Sequence, residues 1–284
     1  MKLLDTTSTF FELVESTRRL NIDHLEKYYQ AYPEVFQEYF ANHCPRTEER
    51  LNAAIERYPS RIEEMRKTAE RLPETIKQIV QKFIGYFGFD LDLQFNLLVG
   101  GFGSNAFVER KIIGQIYFAV EKLSPDPEHL QVIVAHEIGH IYHNFLSDQE
   151  GLEWKKVDWN HGITSLYREG AATYISQQIV KDVGESVYFS YDDSGEEWLR
   201  FCKDHHKSIA SSFLQDSKEW TLEKEREWFR LSGGKYFGYN RLGYYLGTAF
   251  LHDLVKEYGE RKALTYWVNE ELKRKAISWL QMLA

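Results

Sequence analysis

Apolar side chains recur every three or four positions through residues 8–86, as at Leu25, Tyr28, Tyr29 and Tyr32, with Glu, Lys and Arg between them. Residues three and four apart share a helix face, so this spacing predicts a run of amphipathic helices. Pro33, Pro45, Pro59 and Pro73 punctuate the run, and each is expected to start or break a helix because proline lacks a backbone N–H. Near residue 90 the period shortens. Leu91, Leu93, Phe95 and Leu97 alternate with other residues, as a strand requires. Gly100-Gly101-Phe102-Gly103 reads as a turn, followed by Ser104–Val108 and a second strand at Ile116–Val120. After Ser124-Pro125 the helical period returns. Asp126 is placed to cap a helix whose first residue is Pro127. Later helices are expected at 164–182, 195–216, 221–231, 241–258 and 260–283. The chain thus divides into a helical region, 1–88, and a region, 89–284, that holds the strands and the remaining helices.

Composition narrows the function classes. With 284 residues, 43% hydrophobic and 15% aromatic, the chain has material for a sizeable core. Its net charge of −8 argues against a nucleic-acid partner, since phosphate binding needs clustered Lys and Arg. The glycines at 100–103 lack the Lys-Ser/Thr of a phosphate-cradling loop. Cys44 and Cys202 are far apart and read as reduced thiols. No apolar run is long enough for a signal peptide or a membrane span, so a soluble cytoplasmic protein with no membrane partner is expected.

The sharpest chemical signal is Val132-Ile133-Val134-Ala135-His136-Glu137-Ile138-Gly139-His140. Residues four apart on a helix present both imidazoles, His136 and His140, to one ion, and the Glu137 carboxylate beside them can take a proton from water at that ion. A catalytic zinc needs a third protein ligand and one open position. The metzincin extension is absent, because residues 143 and 146 are His143 and Leu146. Glu169, within Tyr167-Arg168-Glu169-Gly170-Ala171-Ala172-Thr173, is the leading third ligand, and His161 competes with it. The small residues Gly170, Ala171 and Ala172 would let this helix come close to the one bearing the histidines. Thr173, one turn beyond Glu169, is placed to hydrogen-bond a ligand histidine. His205-His206 sits among charged residues and reads as a solvated pair, and Asp192, Asp193, Glu196 and Glu197 as a loop and helix start.

His-Glu-x-x-His followed by Glu-Gly-x-Ala resembles the gluzincin clan, the thermolysin-like zinc peptidases. Glu169-Gly170-Ala171-Ala172-Thr173-Tyr174 together with Gly243-Tyr244-Tyr245-Leu246-Gly247 most resemble the predicted zinc-dependent proteases of the YjaZ type. The resemblance implies an α+β, zincin-like fold, mostly helical with a small, largely antiparallel sheet. It also implies a Zn2+ cofactor held by His136, His140 and Glu169, and a peptide or protein substrate. Asn105-Ala106-Phe107 resembles the edge-strand segment with which such enzymes bind the substrate backbone, which marks Asn105 and Ala106 as substrate-binding.

Peptide hydrolysis through zinc also needs a donor for the developing oxyanion. If Asn240 caps a helix, Arg241, Tyr244 and Thr248 form a polar stripe and Leu242, Tyr245, Leu246 and Ala249 an apolar one, which assigns Tyr244 to the cleft and Tyr245 to the core. The expected activity is that of a zinc metallopeptidase with Glu137 as general base. The alternatives are a zinc hydrolase of a non-peptide amide or ester, and a non-catalytic interaction protein.

Overall fold

The computed structural model describes residues 1–108 and 114–284. Two compact units divide the chain, Met1–Glu137 and Ile138–Ala284. The class is α+β, as expected, with a small four-stranded sheet among many helices. Among the described residues no helix is long and apolar enough to cross a membrane.

The first unit opens with β1 (Lys2–Asp5), a strand the alternation pattern does not reveal, and continues with α1 (Thr7–Ser16), α2 (Ile22–Ala31), α3 (Pro33–Asn42) and α4 (Glu48–Phe87). Pro33 begins α3 as expected. Pro59 and Pro73 do not break the chain and lie inside the 40-residue α4. One side of α4 carries Leu51, Ala54, Tyr58, Met65, Leu72, Ile76, Ile79 and Phe83, all buried, while Pro59 is exposed and Pro73 half-exposed. Burial of that stripe outweighs the two hydrogen bonds that the prolines cannot make.

β2 (Leu93–Leu98), β3 (Ala106–Val108) and β4 (Gly114–Ala119) complete the sheet in the order β1-β2-β4-β3. The largely antiparallel arrangement expected is corrected. β1 pairs with β2, and β2 with β4, in parallel, and only β3 runs antiparallel to β4. The parallel pairings follow from long crossovers, with four helices intervening between β1 and β2. β3 occupies one edge of the sheet.

The turn after β2 is held by side chains. Tyr58 donates to Gly100 O at 2.6 Å, Gly103 N to Tyr39 Oη at 3.0 Å, Arg50 to Phe102 O at 2.6 Å, and Phe102 N to Glu121 Oε1 at 3.2 Å. A Cβ on Gly100 would meet the Tyr39 ring at 2.3 Å, so glycine is required by a close approach of protein. These bonds tie the turn to α3 and α4. Beneath the turn Glu121 is fully buried; desolvation raises its pKa, partly offset by backbone N–H donors and Lys122.

α5 (Pro127–Gln149) carries the His-Glu-x-x-His residues. Its start matches expectation: Glu128 N donates to Asp126 Oδ1 at 2.8 Å, and Pro127 occupies the first helical position. The second unit follows with α6 (Gly162–Ile179), α7 (Val187–Ser190), α8 (Gly195–Asp204), α9 (His206–Asp216), α10 (Leu222–Phe229), α11 (Leu242–Tyr258), α12 (Glu260–Leu264) and α13 (Leu272–Leu283). The helices expected at 195–216 and 260–283 are each interrupted, at His205 and in the segment 265–271. α6 and α11 cross backbone to backbone. A Cβ on Gly170 would lie 2.2 Å from Gly247 O, and one on Gly247 2.1 Å from Leu166 O. Cys44 and Cys202 are buried free thiols.

Candidate metal centre

His136, Glu137 and His140 are all buried along α5. On α5 and α6 the contact is close where the small residues meet, since a Cβ on Gly139 would lie 3.2 Å from Ala172 O. Ala172 therefore serves the close approach expected of it, whereas Gly170 serves the crossing with α11. α6 is capped by His161, whose Nδ1 accepts from Ile163 N at 3.1 Å. Burial, with Lys273 nearby, lowers the His161 pKa, which suits a neutral imidazole that accepts a hydrogen bond at Nδ1. Its Nδ1 is thereby taken up by the helix end.

Glu169 lies two turns into α6. Ligand atoms of His136, His140 and Glu169 all lie within 4.8 Å of one another, and among the described residues they form the one group of this kind. His140 Nε2 and Glu169 Oε2 are 3.4 Å apart. Two ligands at about 2.0–2.1 Å from an ion, separated by a tetrahedral angle, stand about 3.4 Å from each other. That separation is long for a hydrogen bond and matches an edge of a zinc coordination tetrahedron. Two imidazoles and one carboxylate are also the donor set of a catalytic zinc with one position open, so the residues fit the ion.

Around Glu169 the second unit gathers three further groups. Arg241 is buried, with its guanidinium carbon 4.3 Å from the Tyr244 ring centroid and 4.9 Å from that of Tyr191. Both Arg241 (φ 58°) and Tyr191 (φ 62°) have left-handed backbones. Burial works against the Arg241 charge, and Tyr244, Tyr191 and Glu169 more than compensate. Burial first, and then the charge of Glu169, raise the Tyr244 hydroxyl well above its ordinary value, against the pull of Arg241.

Asn240 does not cap α11, because that position belongs to Arg241, and the Asn240 side chain donates instead to Leu231 O at 3.0 Å. Burial does not divide the helix along the expected stripes, since Arg241 and Thr248 are buried while Tyr244, Tyr245 and Ala249 are half-buried, so Tyr245 is not the core residue expected. Thr248 Oγ1 donates to Tyr244 O at 2.8 Å, while Tyr245 packs near Phe189, Trp198 and His206, and Tyr239 donates to Glu197 on an exposed surface. Thr173 Oγ1 is buried one turn beyond Glu169 and has no hydrogen-bond partner among the described residues. Asn105 lies just before β3 and Ala106 begins it, and Asn105 O accepts from Ala119 N at 2.8 Å. The left-handed backbones of Arg241 and Tyr191, and the place of Tyr191 beside Arg241, were not read from the sequence. Neither residue is a type that advertises a left-handed backbone, so no local signal marks them.

The long connection between α5 and α6 is anchored by rings. Trp154 and Trp159 stack at 6.0 Å, both set edge-on to Trp267, which stacks on the fully buried His143. His143 thus belongs to packing. Trp159 also lies 5.3 Å beneath the Arg168 guanidinium, next in sequence to Glu169. A cavity of about 320 Å³ lies beside this connection, lined by Leu152, Val157, Ile163 and Trp267 among others. It does not include Glu169 or Tyr244.

A family model described as "Putative zinc dependent peptidase (DUF5700)" matches residues 6–273. Comparison with curated proteins and with solved structures returned no match. The family match runs from just ahead of α1 into α13 and takes in all three members of the His-His-Glu group, which accounts for a donor set suited to zinc. The chain belongs to this zinc-dependent peptidase family.

Proposed function

We propose that the protein is a gluzincin-type zinc peptidase in which His136, His140 and Glu169 hold the metal and Glu137 acts as general base. The observation that carries this reading is the convergence of the three ligand atoms, with the carboxylate of Glu137 one residue from His136 on the same helix. Zinc held there supplies Lewis acidity, which makes water a nucleophile near neutral pH. Glu137 takes the proton of that water on a carboxylate oxygen and returns it to the nitrogen of the leaving amine. Tyr244 donates its hydroxyl to the oxyanion. Burial, the largest cause of its raised pKa, helps it keep its proton, as a donor must across the working pH range. Thr173 stands ready to orient a ligand histidine, and its unpartnered buried hydroxyl is consistent with a bond made when the ligands settle on the ion. The edge position of β3 suits a substrate that adds as a further strand against Asn105 and Ala106.

Two substitutions test the assignment. Glu137→Gln keeps one zinc per chain by elemental analysis while turnover of a quenched peptide library falls by orders of magnitude, because the amide cannot accept the proton. His140→Ala loses the zinc. Stoichiometric zinc in His140→Ala moves the metal elsewhere, and Glu137→Gln activity within about tenfold of the parent removes the general base. Cleavage of small amides or esters but of no peptide shifts the substrate class.

A further inference from the structure

Arg241 is a buried cation, 8% exposed, and among the described residues no carboxylate is in ion-pair contact with it. Leaving an ionised group inside a protein without an opposite charge is costly, and such groups are normally paired. The rings of Tyr244 and Tyr191, a hydrogen bond to the Tyr191 side chain and the field of Glu169 compensate it, none of them an ion pair. One hydrogen bond and contacts to two ring faces use only part of a guanidinium's five N–H donors, which leaves the others for an anion. Two residues in the left-handed region, Arg241 and Tyr191, hold the arrangement. Strain of this kind persists where the surroundings over-determine it, and it concentrates at ligand clamps.

We infer that Arg241 is a clamp for the free C-terminal carboxylate of a peptide, and that the enzyme is a carboxypeptidase or carboxydipeptidase. The inference rests on the peptidase reading of the same site. A planar guanidinium edge matches a carboxylate with two parallel hydrogen bonds, whereas a peptide carbonyl accepts them singly and carries no charge. Arg241 lies in the electrostatic field of Glu169. Arg241 also opens α11, the helix that crosses α6 against Gly170, next to Glu169, so a carboxylate held there ends the substrate a short way beyond the bond cut at the metal. The oxyanion is left to Tyr244.

The test uses one pool of N-acetylated peptides of randomised sequence, made once with a free carboxyl terminus and once amidated. With zinc-loaded protein, the free-acid pool is cut roughly 10- to 100-fold faster than the amidated pool, the range expected for a charge-assisted contact. The cuts fall at one short, fixed distance from the carboxyl end. Binding of the two pools to zinc-loaded Glu137→Gln, followed by calorimetry without turnover, shows the same preference. Arg241→Gln brings the ratio close to one in both measurements, and Arg241→Lys retains part of it. Equal cutting and equal binding of the two pools by the parent protein overturns the clamp while leaving the peptidase standing. So does an Arg241→Gln variant that keeps the preference, or that slows both pools by the same factor. Failure of the parent protein to cut either pool overturns the peptidase reading, and the binding preference then decides the clamp by itself. If Arg241→Gln does not fold, the acid-to-amide ratio of the parent protein and the response of Arg241→Lys still decide it.

Discussion

At Tyr244 two opposite charges act on one hydroxyl. Glu169 and burial hold its proton on, and Arg241, 4.3 Å from the ring, pulls the other way. The balance leaves a neutral donor, which an oxyanion requires and a phenolate cannot provide. Tyr244→Phe removes only the oxygen and keeps the ring against Phe229. Turnover is expected to fall roughly 100- to 1000-fold with little change in KM. Tyr239→Phe, on an exposed surface and bonded to Glu197, is the matched control. Steady-state kinetics on a single peptide decide the matter. A loss of less than about threefold in Tyr244→Phe would give the oxyanion to another donor. Tyr244 was singled out in the sequence through a helix stripe whose assumed cap was one residue off, and the mutual spacing of Arg241, Tyr244 and Thr248 does not depend on that cap.

Among the elements, the α6–α11 crossing is the most demanding, because backbone meets backbone at Gly170 and Gly247. A methyl group at residue 247 would stand 2.1 Å from Leu166 O, an atom that cannot rotate away. Gly247→Ala should therefore destabilise by about 1–3 kcal/mol, and it should weaken zinc binding too, since α6 carries Glu169. Gly85→Ala makes the opposite case. It lies exposed near the end of α4 with open space around its Cβ, so alanine should stabilise by about 0.5–1 kcal/mol. Chemical denaturation of the two variants measures both signs, and Gly247→Ala at parental stability would show that the helices can part. Local signals were strong for α5, where Asp126 and Pro127 mark the start, and for β2 and β4, where apolar residues crowd a short run. They were weak where the deciding partner is remote. Nothing within Lys2–Asp5 announces a strand, because its hydrogen bonds go to residues 94–97. Sheet direction was unreadable for the same reason. Pro59 and Pro73 misled because their local cost is outweighed by a buried stripe that only tertiary packing creates.

Stability is a property of the whole molecule, and Glu121 couples it to pH. The native pKa of this carboxyl is raised from an ordinary value of 4.5, chiefly by burial. Below 4.5 the group is protonated in both native and unfolded chains, and its full contribution is present. As pH rises from there through the native pKa, the unfolded chain ionises freely while the native one resists, so stability is lost. Glu121→Gln has no proton to lose. The difference in Tm between Glu121→Gln and the parent protein should accordingly favour the variant more at pH 8 than at pH 4.5, whatever its sign at either value. A difference that is the same at both pH values would place the ionisation of Glu121 outside the stability of the fold. The sheet above which this residue lies has a further consequence, one of timing. β1 must find β2 in parallel register, Lys2 beside Gln94 and Asp5 beside Leu97, and Tyr28 of α2 must accept from Val99 N. On a ribosome working at roughly 5–20 residues per second, the intervening chain takes on the order of 5–20 s to make. Throughout that interval residues 2–5 have no strand to join, and Phe10 and its neighbouring rings have no sheet to cover them. Helices α1–α4 can coil from local contacts meanwhile, but their apolar faces stay open. The nascent chain is therefore most exposed to misassembly before its second strand has emerged, and a chaperone acting on this protein would be needed early in synthesis rather than at its end.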